Sequence, residues 1–176
     1  MGKYKRTIDT FNNVAKQYWD KFKDFALYQD TYNWFLEQLP KGPINLLEVA
    51  CGPGNVSRYL LSRNTHISLL GIDLAPDMLK LAQRHNPQAQ FKLMDCREIS
   101  LLNTTFDAIM CGFCLPYISW QDSQKLIQDM ALLLKPDGIL YLSLTEGDAE
   151  KEGFKGSDSS GGVIYVHYHN IEAVKH

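Results

Sequence analysis

Apolar residues at Ile8, Phe11, Val14, Ala15, Tyr18, Phe22 and Phe25 recur every three or four positions, which predicts an amphipathic helix from about Thr7 to Leu27. A second helix is expected from roughly Thr31 to Leu39, where Pro40, Gly42 and Pro43 stop it. The period then changes. Ile44 to Ala50 reads as a buried strand, because Ile44, Leu46, Leu47 and Val49 leave neither face polar. Helices and strands alternate from there. A helix over Asn55 to Arg63 leads to a strand at Ile67 to Ile72, and Pro76 suits the first position of a helix reaching about His85. Phe91 to Met94 is a short strand and Phe106 to Cys111 a longer one. Gln121 to Leu134 is a helix with Leu126, Ile127, Met130, Leu133 and Leu134 apolar, and Lys135-Pro136-Asp137-Gly138 turns the chain into a strand at Ile139 to Leu144. This β-α-β-α order implies an α/β, doubly wound fold: a parallel sheet with helices on both faces.

The last part changes character. Glu146 to Gly162 is charged and rich in Gly and Ser, so a long loop or a mobile segment is expected. Val163 to Tyr168 reads as one more strand, and Asn170 as the cap of a helix beginning at Ile171, a few residues before the chain stops.

Composition narrows the class. The 176 residues are 45% hydrophobic and 22% charged, which excludes a wholly disordered chain and suits one domain with a sizeable core. Lys+Arg 18 against Asp+Glu 20 gives a formal net charge of -2, a balance that gives no electrostatic reason to expect general nucleic-acid binding, which wants a basic face. No apolar run reaches the ~18 residues of a membrane span. The basic start, Lys3 to Arg6, leads into an amphipathic segment instead of an apolar signal core. No membrane partner is therefore expected. Cys51, Cys96, Cys111 and Cys114 sit in apolar or motif-like stretches and read as reduced thiols of a cytoplasmic protein.

The chemistry concentrates at strand ends. Leu46-Leu47-Glu48-Val49-Ala50-Cys51-Gly52-Pro53-Gly54-Asn55 lies between a buried strand and a helix, where an open parallel sheet binds its ligands. A tight glycine turn at Gly52 and Gly54 lets a ligand approach the backbone. Glu48 can accept from a ligand ammonium. Asp73 closes the next strand, where a carboxylate can take both ribose hydroxyls. Asp95 closes the third and can accept an adenine amino proton, with the Cys96 N–H reaching a ring nitrogen. Three acids at three successive strand ends suit a nucleoside with a positively charged tail.

These pieces resemble a class I S-adenosylmethionine-dependent methyltransferase of the small-molecule group that includes the ubiquinone/menaquinone methylases. The likeness runs from about Phe11 to Leu144 and weakly on to His169. Glu48 to Gly54 is similar to the family's first motif, with Ala50 standing where the family usually has its first glycine. Leu70-Gly71-Ile72-Asp73-Leu74-Ala75-Pro76-Asp77-Met78 resembles the second, and implies Leu74 and Met78 flanking adenine. Met94-Asp95-Cys96 resembles the adenine-edge segment. Phe106 to Phe113 resembles the fourth-strand motif and implies Gly112 and Phe113 beside the methionine moiety. Leu134 to Leu140 resembles the turn before the fifth strand. Tyr18 stands where the family often uses an aromatic to cover cofactor or substrate, with core packing as its other explanation.

The resemblance implies a Rossmann-like fold in a single domain: a helical cap over residues 1–40, a cofactor-binding core over 44–145, and a loop, last strand and helix start over 146–176. It also implies S-adenosylmethionine as cofactor, a small-molecule acceptor and no metal. The family normally continues with a further helix and an antiparallel strand pair. Those C-terminal strands are expected to be truncated here, with the fifth strand's edge covered by Val163 to Tyr168 or by a homodimer partner. A cofactor-binding module without turnover is the alternative function. A dinucleotide-binding oxidoreductase is a third, since Gly52-Pro-Gly54-Asn-Val-Ser57 nearly fits G-x-G-x-x-G/A.

The remaining candidates have plainer readings. Cys111 and Cys114 have a CxxC spacing, but zinc would want a second ligand pair, so packed thiols are expected. Tyr117 and Trp120 can line an acceptor pocket or merely pack. His167 and His169 alternate along the last strand with Tyr165; exposed positions are the expectation and a general base the alternative. His66 and His85 read as surface. No catalytic residue is named, because methyl transfer from a sulfonium needs mainly orientation and a dry site.

Overall fold

A computed structural model describes residues 2–24, 26–156 and 162–169. Its core is five parallel strands in the order β3-β2-β1-β4-β5: β1 (Ile44–Val49), β2 (Ile67–Asp73), β3 (Gln90–Leu93), β4 (Phe106–Cys111) and β5 (Leu134–Leu142). β1 lies in the middle because its apolar residues bury on both faces; only Asn45 is exposed. Its register with β2 sets Glu48 opposite Gly71 and Val49 opposite Ile72. The direction of strand order reverses between β1 and β4, and ligands of such sheets bind at the carboxyl ends beside that point.

Parallel neighbours need crossovers. α4 (Asn55–Arg63) joins β1 to β2, α5 (Pro76–His85) joins β2 to β3, and α6 (Trp120–Leu133) precedes β5. Between β3 and β4 the crossover is a 3₁₀ segment, Cys96–Leu102. Ser119 caps α6 by accepting from the Asp122 N–H at 3.2 Å. One apolar cluster, with Leu47, Ile72, Ile109 and Leu126, fills one side of the sheet; another, with Leu46, Phe35 and Leu60, fills the other.

Four expectations shift. The first helix begins earlier and divides into α1 (Gly2–Asn13) and α2 (Ala15–Phe22) at Val14, whose φ of -108° and ψ of 10° leave the helical region. Bonds from Val14 N–H to Thr10 and from Tyr18 N–H to Val14 still bridge the break. Phe25 lies outside the described residues, and α3 (Gln29–Gln38) follows. β5 starts at Leu134, and the 135–138 turn is a bulge inside it: Phe106 pairs with Leu134 but Ala108 with Ile139. Lys135 ties this bulge to Asp107 at 2.8 Å.

The segment read as a loop contains β6 (Gly153–Gly156), which pairs antiparallel with β7 (Val163–Val166). Consequently β7 does not cover β5. Its polar groups go elsewhere: Thr10 donates to the Val163 carbonyl at 2.7 Å, and the Tyr165 N–H donates to Thr7 Oγ1 at 3.0 Å. Among the described residues no strand pairs with the outer edge of β5. The expected helix from Asn170 lies outside the described residues. No helix among them is long and apolar enough to cross a membrane.

Candidate functional site

At the carboxyl ends of the strands lies a cavity of about 710 Å³. Glu48, Ala50 and Gly52 reach it from β1 and the turn beyond, Asp73 and Leu74 from β2, and Met78 from α5. Asp95 and Cys96 follow β3, Gly112 and Phe113 follow β4, and Tyr18 closes it from α2. Gly54 is not on its wall.

The turn after β1 uses left-handed backbone at three alternate residues, with φ of 54° at Ala50, 54° at Gly52 and 80° at Gly54. An L side chain pays ~1–2 kcal/mol there, so Ala50 carries strain that a glycine would not. Gly52 and Gly54 are needed for different reasons. No atom lies within 4 Å of where a Gly52 Cβ would stand, so the wall stays open beside it. A Cβ on Gly54 would meet Asn86 Nδ2 at 2.5 Å and Ala82 Cα at 2.9 Å. That glycine serves the close packing of the turn on α5.

Asp73 accepts from the Gly52 N–H at 2.9 Å and the Ala75 N–H at 2.8 Å. Burial raises its pKa, and the Ala75, Gly52 and Leu74 N–H groups oppose that rise. A carboxylate has about four acceptor positions, so capacity remains for hydroxyl donors. Glu48 is only 2% exposed and accepts a hydrogen bond from Ser57. Burial pushes its pKa up to about 8; the Ser57 bond lowers it and the Asp73 charge raises it, and no cation contributes. A buried acid without a counter-charge is a receptive neighbour for a cationic ligand.

Asp95 is engaged. Its oxygens accept from the Arg97 backbone N–H at 2.9 Å and from the guanidinium Nε at 3.0 and 3.1 Å. Burial alone would raise its pKa, but the Arg97 bonds outweigh burial and hold the carboxyl below its ordinary value. Phe113 takes a φ of 62°, its N–H donating to Ser143 Oγ at 2.8 Å and its ring 4.8 Å from that of Tyr28. Tyr18 packs against Phe22 at 4.5 Å, and burial raises its hydroxyl pKa well above the ordinary value. Cys114 is buried close to Cys111 and Cys96; Cys111 and burial push its thiol pKa well up, and no cysteine is in a disulfide.

The histidines of the last strand need correction. His167 and His169 are 2% and 1% exposed, not surface residues, and neither lines the cavity. His167 Nδ1 lies 3.0 Å from Glu152 and His169 Nε2 lies 2.7 Å from the Leu115 carbonyl. Ile164, on the alternate face of β7, is the residue that reaches the cavity. His85 is half-buried by stacking on Trp19 at 3.6 Å, while His66 is exposed as expected. Tyr117 lines the cavity; Trp120 packs near His169 instead.

Sequence reasoning missed Ser57 as the partner of Glu48, and Arg97 as that of Asp95. Both pairs had a local signal. Ser57 lies nine residues past Glu48, on the first turn of the following helix, and Arg97 lies two past Asp95. Tyr28, Tyr32 and Tyr59 also line the cavity, and no motif in the sequence singled them out.

Parallel strands in this order, with a glycine turn and a large cavity at their carboxyl edge, define a doubly wound ligand-binding domain. Within that class, the chain belongs to the methyltransferase-domain family, whose family model matches residues 46–138. It is 28% identical over 148 residues to a ubiquinone biosynthesis O-methyltransferase of Coxiella burnetii, covering 79% of this chain and 61% of that one. A protein of the same description from Leptothrix cholodnii is 28% identical over 149 residues, covering 78% and 62%. The chain thus spans about three fifths of the length of these relatives. Its fold matches the DhpI–SAH complex with a TM-score of 0.70 at 20% identity, covering 96% of this chain and 80% of that one. It also matches SAM-bound CalS10, an amino pentose methyltransferase from Micromonospora echinaspora, with a TM-score of 0.65 at 19% identity, covering 84% and 78%.

Proposed function

We propose that this domain transfers a methyl group from S-adenosylmethionine to a small-molecule acceptor. The observation that carries the reading is the pair of carboxyl groups on one wall, Glu48 buried without a counter-charge and Asp73 held by the glycine turn beside it. The open space beside Gly52 and the cavity of about 710 Å³ fit a nucleoside with an amino-acid tail. When bound, S-adenosylmethionine supplies a methyl on a sulfonium, which passes to the acceptor as the carbon–sulfur bond breaks and the sulfur becomes neutral.

The protein's residues orient and enclose. Glu48 would hold the ammonium of the methionine tail, while the backbone at Ala50, Gly52 and Gly54 keeps the turn tight. Asp73 would take the ribose hydroxyls, and Leu74 and Met78 the faces of adenine. Asp95 would accept from the adenine amino group in exchange for one Arg97 bond, with the Cys96 N–H on a ring nitrogen. Gly112, Phe113 and Tyr18 would close around the methionine moiety and exclude water. No side chain is assigned as base; an acceptor that is already nucleophilic needs positioning above all.

Calorimetric titration with S-adenosylhomocysteine tests this, with NAD as control. Binding of the first alone is expected; binding of NAD alone, or of neither, overturns the reading. The same reading takes residues 1–176 as one methyltransferase domain. The unpaired outer edge of β5 supports a homodimer joined there, which sedimentation would check by mass. The four free thiols support a cytoplasmic location, testable by cell fractionation.

A further inference from the structure

The cavity is electrically divided. Its carboxyl groups, Glu48, Asp73 and Asp95, stand at the strand ends, whereas the region between the end of α2 and the helix α4 is lined by Lys21, Lys23, Arg58 and Arg63. Among the described residues, Asp24 is the one acid on that part of the wall; its side chain is 75% exposed and lies 3.8 Å from Arg58. Lys23 has a comparable 3.8 Å contact, to Asp20. Lys21 and Arg63 form no ion pair among the described residues. Lys21 lies 5.2 Å from the centre of the Phe22 ring, and Arg63 lies 3.6 Å from that of Tyr59. Lys23 and Arg58 also border a smaller recess beside Trp19 and His85, with Arg58 5.7 Å from the Trp19 ring centre. Four cations against one loosely held carboxylate along a concave lining raise the positive potential in the space before them.

We propose that the acceptor of this domain is a small molecule bearing an oxyanion, carboxylate or phosphate. Its apolar body lies along Tyr28 and Tyr59, and its charge sits among Lys21, Lys23, Arg58 and Arg63. The inference rests on the methyl-transfer reading. It follows from division of labour within the one cavity: acids face the part of the pocket suited to a cationic cofactor tail, and bases face the part left for the acceptor. The methionyl carboxylate of the cofactor is the rival anion, but four cations line this region, more than one carboxylate needs.

The test uses calorimetry on the wild-type protein and on two variants, Lys21→Glu/Arg63→Glu and the milder Lys21→Gln. Thermal melts first check that each variant remains folded; all the altered side chains are exposed. Titration with S-adenosylhomocysteine is expected to give the same affinity in all three. Failure in the wild type refutes the methyl-transfer reading and this inference with it. The S-adenosylhomocysteine-saturated protein is then titrated with benzoate, phenyl phosphate and neutral benzyl alcohol. The expected result is binding of at least one anion at least tenfold tighter than the alcohol, weakening between 50 and 300 mM salt, with a tenfold loss in the double variant and a smaller one in Lys21→Gln. Benzoate preferred to phenyl phosphate indicates a carboxylate acceptor, and the reverse a phosphate. The inference is overturned if the alcohol binds equally well, if no probe binds, or if the variants bind the anions unchanged. It is also overturned if the variants lose S-adenosylhomocysteine but keep 5′-methylthioadenosine, because the cations then serve the methionyl carboxylate.

Discussion

β1 and α1 bound the same cavity from opposite sides and are held by different means. Five of the six residues of β1 are buried, and the strand is paired with β2 along its whole length and with β4 at Leu46–Glu48. α1 buries two polar residues, Thr7 and Thr10, and both bond to β7. Its other hydrogen bonds to the rest of the chain run through two side chains: Tyr4 donates to Asp122 at 2.5 Å and accepts from the Ser119 N–H at 2.9 Å, and Asn12 bonds Asp77 at 3.0 and 2.8 Å. Ile8 and Phe11 add apolar contact with Ala75 and Met78, and the Phe11 ring lies 4.9 Å from that of Tyr117. A ladder fixes the strand ends cooperatively, and each bond of the cover contributes about 1 kcal/mol. Position is therefore built into the sheet, whereas the cover is held by a few long-range side-chain bonds and a small apolar cluster.

The largest effect should come from disturbing the floor. Gly54→Ala combines a φ of 80° with contacts of 2.5 and 2.9 Å, and should cost about 3 kcal/mol in urea unfolding. A loss under about 1 kcal/mol would show that the turn yields as readily as the cover. Next, Asp73→Ala should weaken S-adenosylhomocysteine binding by about 1–3 kcal/mol, the scale of lost charged hydrogen bonds. Unchanged affinity in calorimetry would remove its assignment to the ribose.

Titration separates the two regions further. Burial raises Glu48 from an ordinary 4.5 to about 8, so the unfolded chain ionises first and the free protein loses stability as pH rises from about 4.5 to 8. A cationic ligand favours the ionised acid, so binding should release a proton below pH 8. Affinity should then climb with pH by at most about tenfold per unit. Calorimetry in two buffers of different ionisation enthalpy would count the proton, and Glu48→Gln should abolish it. On the cover the sign reverses. Burial keeps His167 below its ordinary 6.5 despite the Glu152 bond that raises it, so stability is full above pH 6.5 and falls as pH drops below it. Hydrogen exchange of the β6–β7 pair across that range would show it. The smallest effect is expected for Tyr4→Phe, about 1 kcal/mol or less in thermal unfolding, with faster proteolysis within α1. A larger loss would mean that the cover is cooperative with the sheet.

The elements that the residue pattern made legible are those whose burial is set by their own sequence. β4 and the helices α4 and α5 run as the pattern predicts, because period and capping residues act locally. The strand-end acids were legible for the same reason: Asp73 and Asp95 follow apolar runs and Glu48 interrupts the end of one, just before the glycine turn. What the pattern missed depends on distant partners. The break at Val14 lies inside an unbroken apolar stripe. β6 lies in a stretch poor in apolar residues and exists by pairing with β7. His167 and His169 alternate as exposed strand residues do, and they are buried because Glu152 and the Leu115 carbonyl come to meet them.

By itself, then, the sequence determined the doubly wound order, the glycine turn after β1 and the three acids at successive strand ends. Hydrophobic period and turn chemistry are properties of neighbouring residues. Only the tertiary structure decided which acids are free to meet a ligand. Glu48 is buried without a cation, Asp73 is held with capacity to spare, and Asp95 is bonded by Arg97, so a ligand must displace one of those bonds. The tertiary structure also brought the cations of α2 and α4 to one wall. Burial and charge proximity arise from residues brought together across the chain, and no local pattern encodes them.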